Sequence, residues 1–547
     1  MSTGEDLPTF KDPEAQFERF GFIDSYDRIR LPGLTWESGN MFNDTTFMPN
    51  CNMEDAVFND TVWDNGADKN LRLHQEPPVL TEIFYSNPMR RLQAVEQLTL
   101  PPEYTTIPNT AAFSRFEHIW GSVLFVKQLA KKEGVIEDQV LSYQLRTLLS
   151  DMAHTTGSHI GDWLFQGVGE GEDQHDIELG EYLAVTGVTD ILRKHHVEPE
   201  TVILPEVSDW VEAPAPDLCV DRVDYGLREM NRWNDAVRHM ALGVNDFTLT
   251  PENKLAMTDQ RIARIFAEGY LLLSQEHWSE PTHRFLEEML MLKTKLFYAQ
   301  YGAPDTWVFT APEEPAGLIP LHEMHPRDLM YVTDPTQAMS LARHNLGGNT
   351  LDAIMRNIAQ YRRQYVWPGR RERIYSYMHQ FTDPDSYSAI LKSGSYIPLE
   401  SEDFSTYLGE YPPYLPVGFT VLDTAETDSP SDPAYIDFPQ PPFKTRQIDP
   451  LVQTGGGFER LSELDPSFAE RLVEHEARIK QANIARLVIP DKQTNELIRG
   501  IVDNVESHWQ ERLTSSRRMN KNELRRLVDA SSREIHGRYP FLSFLSY

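Results

Sequence analysis

From residue 78 to about residue 300, apolar positions recur every three or four residues, the spacing that puts side chains on one face of an α-helix. Val79, Ile83, Phe84 and Met89 lead into Leu92, Val95 and Leu98. Ile119, Trp120, Leu124 and Phe125 give residues 116–129 a broad apolar face, and Gly134 supplies a stop. Leu145, Leu148, Leu149 and Met152 repeat the pattern over 141–152. Helices are expected again over 179–194, 218–238, 260–273, 283–301 and 350–364. The pattern predicts a mainly α protein with an all-helical core.

The flanks read differently. Residues 1–75 are rich in Asn, Asp, Trp and Phe with weak periodicity, which predicts irregular structure with short strands packed on the core. Beyond about residue 375 proline and aromatic residues rise, and strands with turns are expected through 398–446. Residues 423–433, DTAETDSPSDP, form an expected exposed loop. Asp465-Pro466 is a helix start of the cap-then-proline type, and helices are expected over 468–487, 492–513 and 521–538. The expected division is 1–75, a helical core of 76–375 and a mixed α+β C-terminal lobe of 376–547.

Composition narrows the function. About 40% of the 547 residues are hydrophobic, so a large core is available. A net charge of −32 argues against non-specific binding of nucleic acid or anionic membrane, because neutralising phosphates takes clustered Lys and Arg. A small anionic ligand stays open, since a few local cations and a metal can hold one. The two cysteines, Cys51 and Cys219, predict reduced thiols in a cytoplasmic protein. The first residues lack a basic stretch and an apolar run, and no run of eighteen apolar residues occurs, so neither a signal peptide nor a membrane span is expected.

The chemistry gathers around residues 148–162, LLSDMAHTTGSHIGD, with RFEH at 115–118 upstream and QHD at 174–176 and DRVDY at 221–225 downstream. A histidine on one helix, an aspartate closing a second and an aspartate on a third make a metal-ligand arrangement. Imidazole nitrogen with carboxylate oxygen suits Mn, Fe, Co, Ni or Zn, and Mg less well. Inward-facing ligands from different helices can share one ion. The candidates are His118, Asp151 and Asp221.

In order and spacing these strings resemble the HD-domain phosphohydrolases, most closely the deoxynucleoside triphosphate triphosphohydrolases, which include a vertebrate enzyme with a sterile-alpha-motif domain and bacterial dGTPases. Their usual run is an RFEH-like helix, then LLHD-x-x-H-x-x-x-x-H-x-x-D, a later His, and D-x-x-D-Y. The likeness covers about residues 79–300 and touches KTRQIDPLV at 444–452. It implies an HD-domain core and a divalent metal ion on His118, Asp151 and Asp221. It implies Asp162 and His175 as the pair assisting attack by water, with His154 and His159 near the phosphates. Arg115 and Arg222 would be phosphate clamps. Tyr225 and Glu229, the latter where Asp is usual, would meet the sugar, and Gln97 and Leu98 would test its hydroxyls. The resemblance further implies a dNTP substrate, release of intact triphosphate, and a homo-oligomer.

One position departs from the run: Ser150 stands where the family has the histidine before Asp151. A hydroxyl is a poor ligand for a transition metal. The ion could bind with three protein ligands and an extra water. The site could have lost catalysis and kept nucleotide binding, which makes the chain a regulator or scaffold. Or the serine could be an introduced block that traps substrate. A phosphohydrolase acting on other nucleotides is the third functional alternative. Elsewhere, His195-His196 reads as a helix C-terminus, Gly455–Gly457 as a turn, residues 167–173 as a turn or flap, and residues 541–547 as a packing tail.

Overall fold

The computed structural model describes residues 34–36, 57–60, 70–72, 76–98, 100, 104–107, 113–155, 157–159, 174–203, 209–233, 242–299, 420–423, 435–439, 446–481, 484–488 and 520–526, with isolated positions between 355 and 378 and at 509, 528 and 529. The fold is mainly α with a small α+β lobe.

The core begins with α1 (Pro78–Phe84) and α2 (Asn87–Arg91), whose apolar faces carry Leu80, Ile83, Phe84 and Met89 into the interior. Helix α3 (Arg115–Glu133) is buried on most of its surface. Ser114 caps it by accepting a hydrogen bond from the Glu117 amide at 3.2 Å, and Gly134 ends it in a left-handed conformation with φ of 71°. That cap fixes which residues form the first turn, and so aims Arg115 and His118. Helix α4 (Glu137–Ser150) packs against α3 and delivers Asp151 at its C-terminal end.

Next come α5 (Gln174–Thr186), α6 (Val188–Lys194), α7 (Glu200–Ile203) and α8 (Val220–Trp233), the last packed against α3. The single helix expected over 179–194 is broken at Gly187, whose φ of 87° no helix can carry. At its end His195 meets Glu82 at 2.7 Å, a structural contact. Helix α9 (Gln260–Leu273) runs through a π-helical turn, Ser274–Trp278, into α10 (Pro281–Ala299). Helices α11 (Leu461–Leu464) and α12 (Pro466–Gln481) follow, and the Asp465 side chain accepts from the Ser467 amide at 3.0 Å.

Three small sheets complete the described residues. Strands β1 (Leu34–Trp36), β2 (Val57–Asp60) and β3 (Asn70–Arg72) form an antiparallel sheet in that order. Strands β4 (Phe247–Leu249) and β5 (Leu255–Met257) form a hairpin inside what the sequence predicts to be all helix. The hairpin survives there because β5 pairs in parallel with β8 (Leu451–Thr454), which pairs with β9 (Gly457–Arg460). Gly455–Gly457 is the turn of that second hairpin. Strands β6 (Thr420–Asp423), β7 (Tyr435–Pro439) and β10 (Ile484–Val488) form a third sheet with β10 in the centre. The helix expected over 468–487 therefore stops at Gln481. Pairing with β6 on one edge and β7 on the other holds IARLV as a strand. Residues 167–173 and 541–547 lie outside the described residues, as do most of the helices expected over 350–364, 492–513 and 521–538.

Candidate active site

A cavity of about 490 Å³ opens where α3, α4 and α8 meet. Its wall includes Gln97, Leu98, Arg115, Ser150, Asp151, His154, His159, His175, Asp221, Arg222, Tyr225 and Glu229. The predicted site residues thus converge, with His118 lying just behind that wall. Asp162 lies outside the described residues.

His118 is the hinge of the arrangement. Its Nε2 lies 2.9 Å from Asp221 Oδ1 and 3.7 Å from Asp151 Oδ2. Its Nδ1 lies 2.8 Å from Asp224 Oδ2. Asp224 also accepts from Arg228 Nε at 2.7 Å, and Arg228 Nη1 reaches Glu117 at 3.3 Å. Glu117, Asp224 and Arg228 are fully buried. A Cβ at Gly121 would collide with Arg228 Nη2 and Asp224 Oδ1, so the glycine of α3 makes room for the pair. The sequence reading gave Asp224, Arg228 and Gly121 no role. The run DRVDYGLR, 221–228, held the signal, since Asp224 and Arg228 stand at i, i+4 on one helix face.

The donor set fits a divalent cation. Two ligand atoms about 2.1 Å from one ion stand roughly 3 to 3.5 Å apart, close to the separations around His118 Nε2. The Asp224 carboxylate on Nδ1 is the partner that a metal-bound imidazole ordinarily has, because it fixes the ring and leaves Nε2 for the ion. Ser150 lies on the cavity wall, and its hydroxyl donates to the Thr147 carbonyl at 3.1 Å.

Donor atoms of Asp151, His154 and His175 also lie within 4.8 Å of one another. The His154 and His175 rings are stacked at 3.6 Å and 24°. The two ring planes are therefore nearly parallel and apart, and one ion cannot lie in both.

Charges around the cavity are set by neighbours. Burial works against the His118 cation, but hydrogen bonds to Asp221 and Asp224 raise its pKa to about 10. Burial would raise the Asp151 carboxyl, yet Arg115, His154 and His118 hold it well below the usual range. Burial, with Arg115 and His175 nearby, pushes His154 well below the usual imidazole value, so it is neutral.

Arg115 gives Nη1 to Asp151 at 2.8 Å and Nε to Ser158 at 3.1 Å. Arg222 donates through Nη1 to the carbonyls of Ala213 and Asp217, which ties its guanidinium to the loop before α8. Tyr225 pairs with the Tyr270 hydroxyl, and Glu229 accepts from Trp278 Nε1 at 3.0 Å. Asp449 donates its amide to the Pro216 carbonyl at 2.9 Å, and Lys254 and Arg460 both pair with Asp217. The C-terminal hairpin thereby braces the loop that leads into Asp221.

A pH effect follows from His118. Without metal its Nε2 carries a proton at neutral pH, and a metal ion must displace it. Affinity is therefore expected to rise with pH, with the dissociation constant falling about tenfold per unit between about pH 6 and pH 8. Titration with Mn²⁺ at three pH values checks it. The same pairing stabilises the metal-free fold below the unfolded value of about 6.5, and that contribution is lost as pH rises through about 10.

No protein-family model matches the chain. The chain is 30% identical over 218 residues to the metal-dependent phosphohydrolase cns2 of Cordyceps militaris, covering 38% of this chain and 58% of that protein. It is 31% identical over 236 residues to the uncharacterized protein YdhJ of Bacillus subtilis, covering 42% of this chain and 68% of that protein. Among solved structures, a phosphohydrolase from Bacteroides thetaiotaomicron is similar at 14% identity and a TM-score of 0.41, covering 75% of this chain and 94% of that one. A hypothetical protein from Aquifex aeolicus reaches 14% and 0.42, covering 82% and 99%. At TM-scores below 0.5 neither fixes the fold. The helices gather imidazole and carboxylates at one cavity whose donor set fits a divalent cation. The chain belongs to the family of HD-type phosphohydrolases that includes YdhJ.

Proposed function

We propose that the protein is a metal-dependent nucleotide phosphohydrolase, and that a deoxynucleoside triphosphate is split to deoxynucleoside and triphosphate. One observation carries the reading: His118 Nε2, Asp151 Oδ2 and Asp221 Oδ1 converge at the cavity while Asp224 holds the other nitrogen of the same imidazole. A divalent ion bound by these three residues would polarise a phosphoryl oxygen and make a bound water more acidic.

The chain's own residues do the rest. Arg115 keeps Nη2 buried with no partner among the described residues, ready for a phosphate oxygen. Neutral His154 keeps Nδ1 likewise unpaired, and His175 stacks on it. His175 would pass a proton, with Asp162 as its expected partner. Gln97 Oε1 is buried without a partner among the described residues and can accept from a 3′-hydroxyl, while Leu98 and Tyr225 offer apolar bulk to a 2′-position.

The test is product analysis with each dNTP and NTP in Mg²⁺, Mn²⁺ or Co²⁺. Triphosphate release supports the full reading. Orthophosphate alone keeps the phosphohydrolase and removes the triphosphate step. Binding without any product leaves a nucleotide-binding regulator. A 2′-hydroxyl buried against Leu98 and Tyr225 costs about 1–3 kcal/mol, so kcat/KM for dGTP is expected to exceed that for GTP by roughly 5- to 150-fold. Equal values would remove the deoxynucleotide preference. Ser150→His adds an imidazole beside Asp151, and metal occupancy under limiting metal is expected to rise at least about tenfold. Equal occupancy would mean that position 150 does not face the ion.

A further inference from the structure

Helix α2 ends in Arg91, which is wholly buried. Its side chain reaches two other elements. Nη2 donates to the carbonyls of Met152 at 3.0 Å and His154 at 2.7 Å. Nε donates to the Tyr182 hydroxyl at 3.1 Å, and the guanidinium lies 5.5 Å from the centre of that ring. Tyr182 belongs to α5 and is also wholly buried.

The two carbonyls lie in the buried turn that follows α4. Buried carbonyls outside helices and strands need a donor from elsewhere, and a guanidinium carries several in one rigid plane. Asp151 and His154 stand at the two ends of this turn. Asp151 Oδ2 is 3.7 Å from His118 Nε2, and Asp151 Oδ1 is 3.4 Å from His154 Nε2. On α5, His175 and Tyr182 stand at i and i+7, two turns apart on one face. His175 stacks on His154 at 3.6 Å. One side chain therefore grips the backbone of one ring of the stack and the helix that carries the other. It does so from behind the cavity wall, which other residues form.

Resting on the metal and phosphate reading above, we propose that Arg91 is a positioning residue. It ties the 151–154 turn to α5, so that the Asp151 carboxylate stays aimed at the ion and the His154–His175 pair stays closed at the phosphate end.

Two variants separate the two arms, and both are read by binding rather than turnover. Arg91→Lys keeps the buried charge but gathers its donors on one nitrogen at the end of a flexible stem. Its dissociation constant for Mn²⁺, measured by calorimetry on folded protein, is expected to rise about 10- to 100-fold, the scale seen when the group behind a metal ligand is lost. Tyr182→Phe removes the α5 arm alone. Its Mn²⁺ constant is expected to stay at the parent's value, while inorganic triphosphate in metal-free buffer binds about fivefold more weakly, the scale of one hydrogen bond. A lower unfolding midpoint with both constants unchanged makes Arg91 a support of the fold alone and overturns the role. So does a triphosphate constant that Tyr182→Phe leaves unchanged, which is the deciding result if Arg91→Lys does not fold. A parent protein that fails to bind Mn²⁺ or triphosphate fails the functional reading itself, and this role falls with it.

Discussion

Asp221→Ala is expected to lower turnover about 10³-fold or more while leaving the chain folded, with an unfolding midpoint only modestly lower. The aspartate sits in the first turn of α8 with its side chain 36% exposed, so removing it leaves little buried surface uncovered. Its partner His118 keeps the hydrogen bond to Asp224. The proposed metal-assisted hydrolysis, however, would lose one of its three proposed protein ligands, and a thousandfold loss corresponds to about 4 kcal/mol of transition-state stabilisation. Urea unfolding and steady-state rates on the same preparation check both halves. Retained activity together with a large fall in stability would make Asp221 a structural residue.

Asp224→Ala, three residues further on, is expected to behave in the opposite way. Its carboxylate is fully buried and holds both Arg228 and His118. Burial would raise its pKa, but Arg228 and His118 more than offset this and hold it below the usual range. Removing it strands a buried guanidinium, at a cost of about 3–5 kcal/mol. Gly121→Ala is expected to reproduce much of this loss from the other side, because its methyl group takes the space of the same ion pair. Both variants lose metal as well, since the His118 ring loses its orientation. Denaturant midpoints of Asp224→Ala within about 0.5 kcal/mol of the parent would show that the network does not support the fold.

The helical core was legible because its apolar spacing is strong and its stops are local. The 260–273 helix has the bounds the spacing predicts, and its cap is Asp259 accepting from the Ile262 amide at 2.9 Å. The β4–β5 hairpin was not legible, because its stability comes from strands about two hundred residues away in sequence. The helix read over 468–487 failed for a similar reason: β10 is held by β6 and β7, which no local pattern announces. The strings RFEH, LLSD and DRVDY put the site residues in view at once, and the structure brings all but the undescribed Asp162 to one cavity or its back wall. The likeness also touched KTRQIDPLV at 444–452 but gave its residues no role, and the structure puts Arg446 and Gln447 on the cavity wall.

The brace on Asp217 gives this site an order of assembly. Arg460 reaches back across 243 residues to hold the loop before α8. A growing chain has made every proposed metal ligand once residue 221 emerges, yet it has not made the hairpin that steadies the third of them. Contacts so distant in sequence close late. Ribosome-bound chains stopped before β8 should therefore contain the helices but capture metal poorly, and gain that ability in one step as residues 446–460 become free to dock.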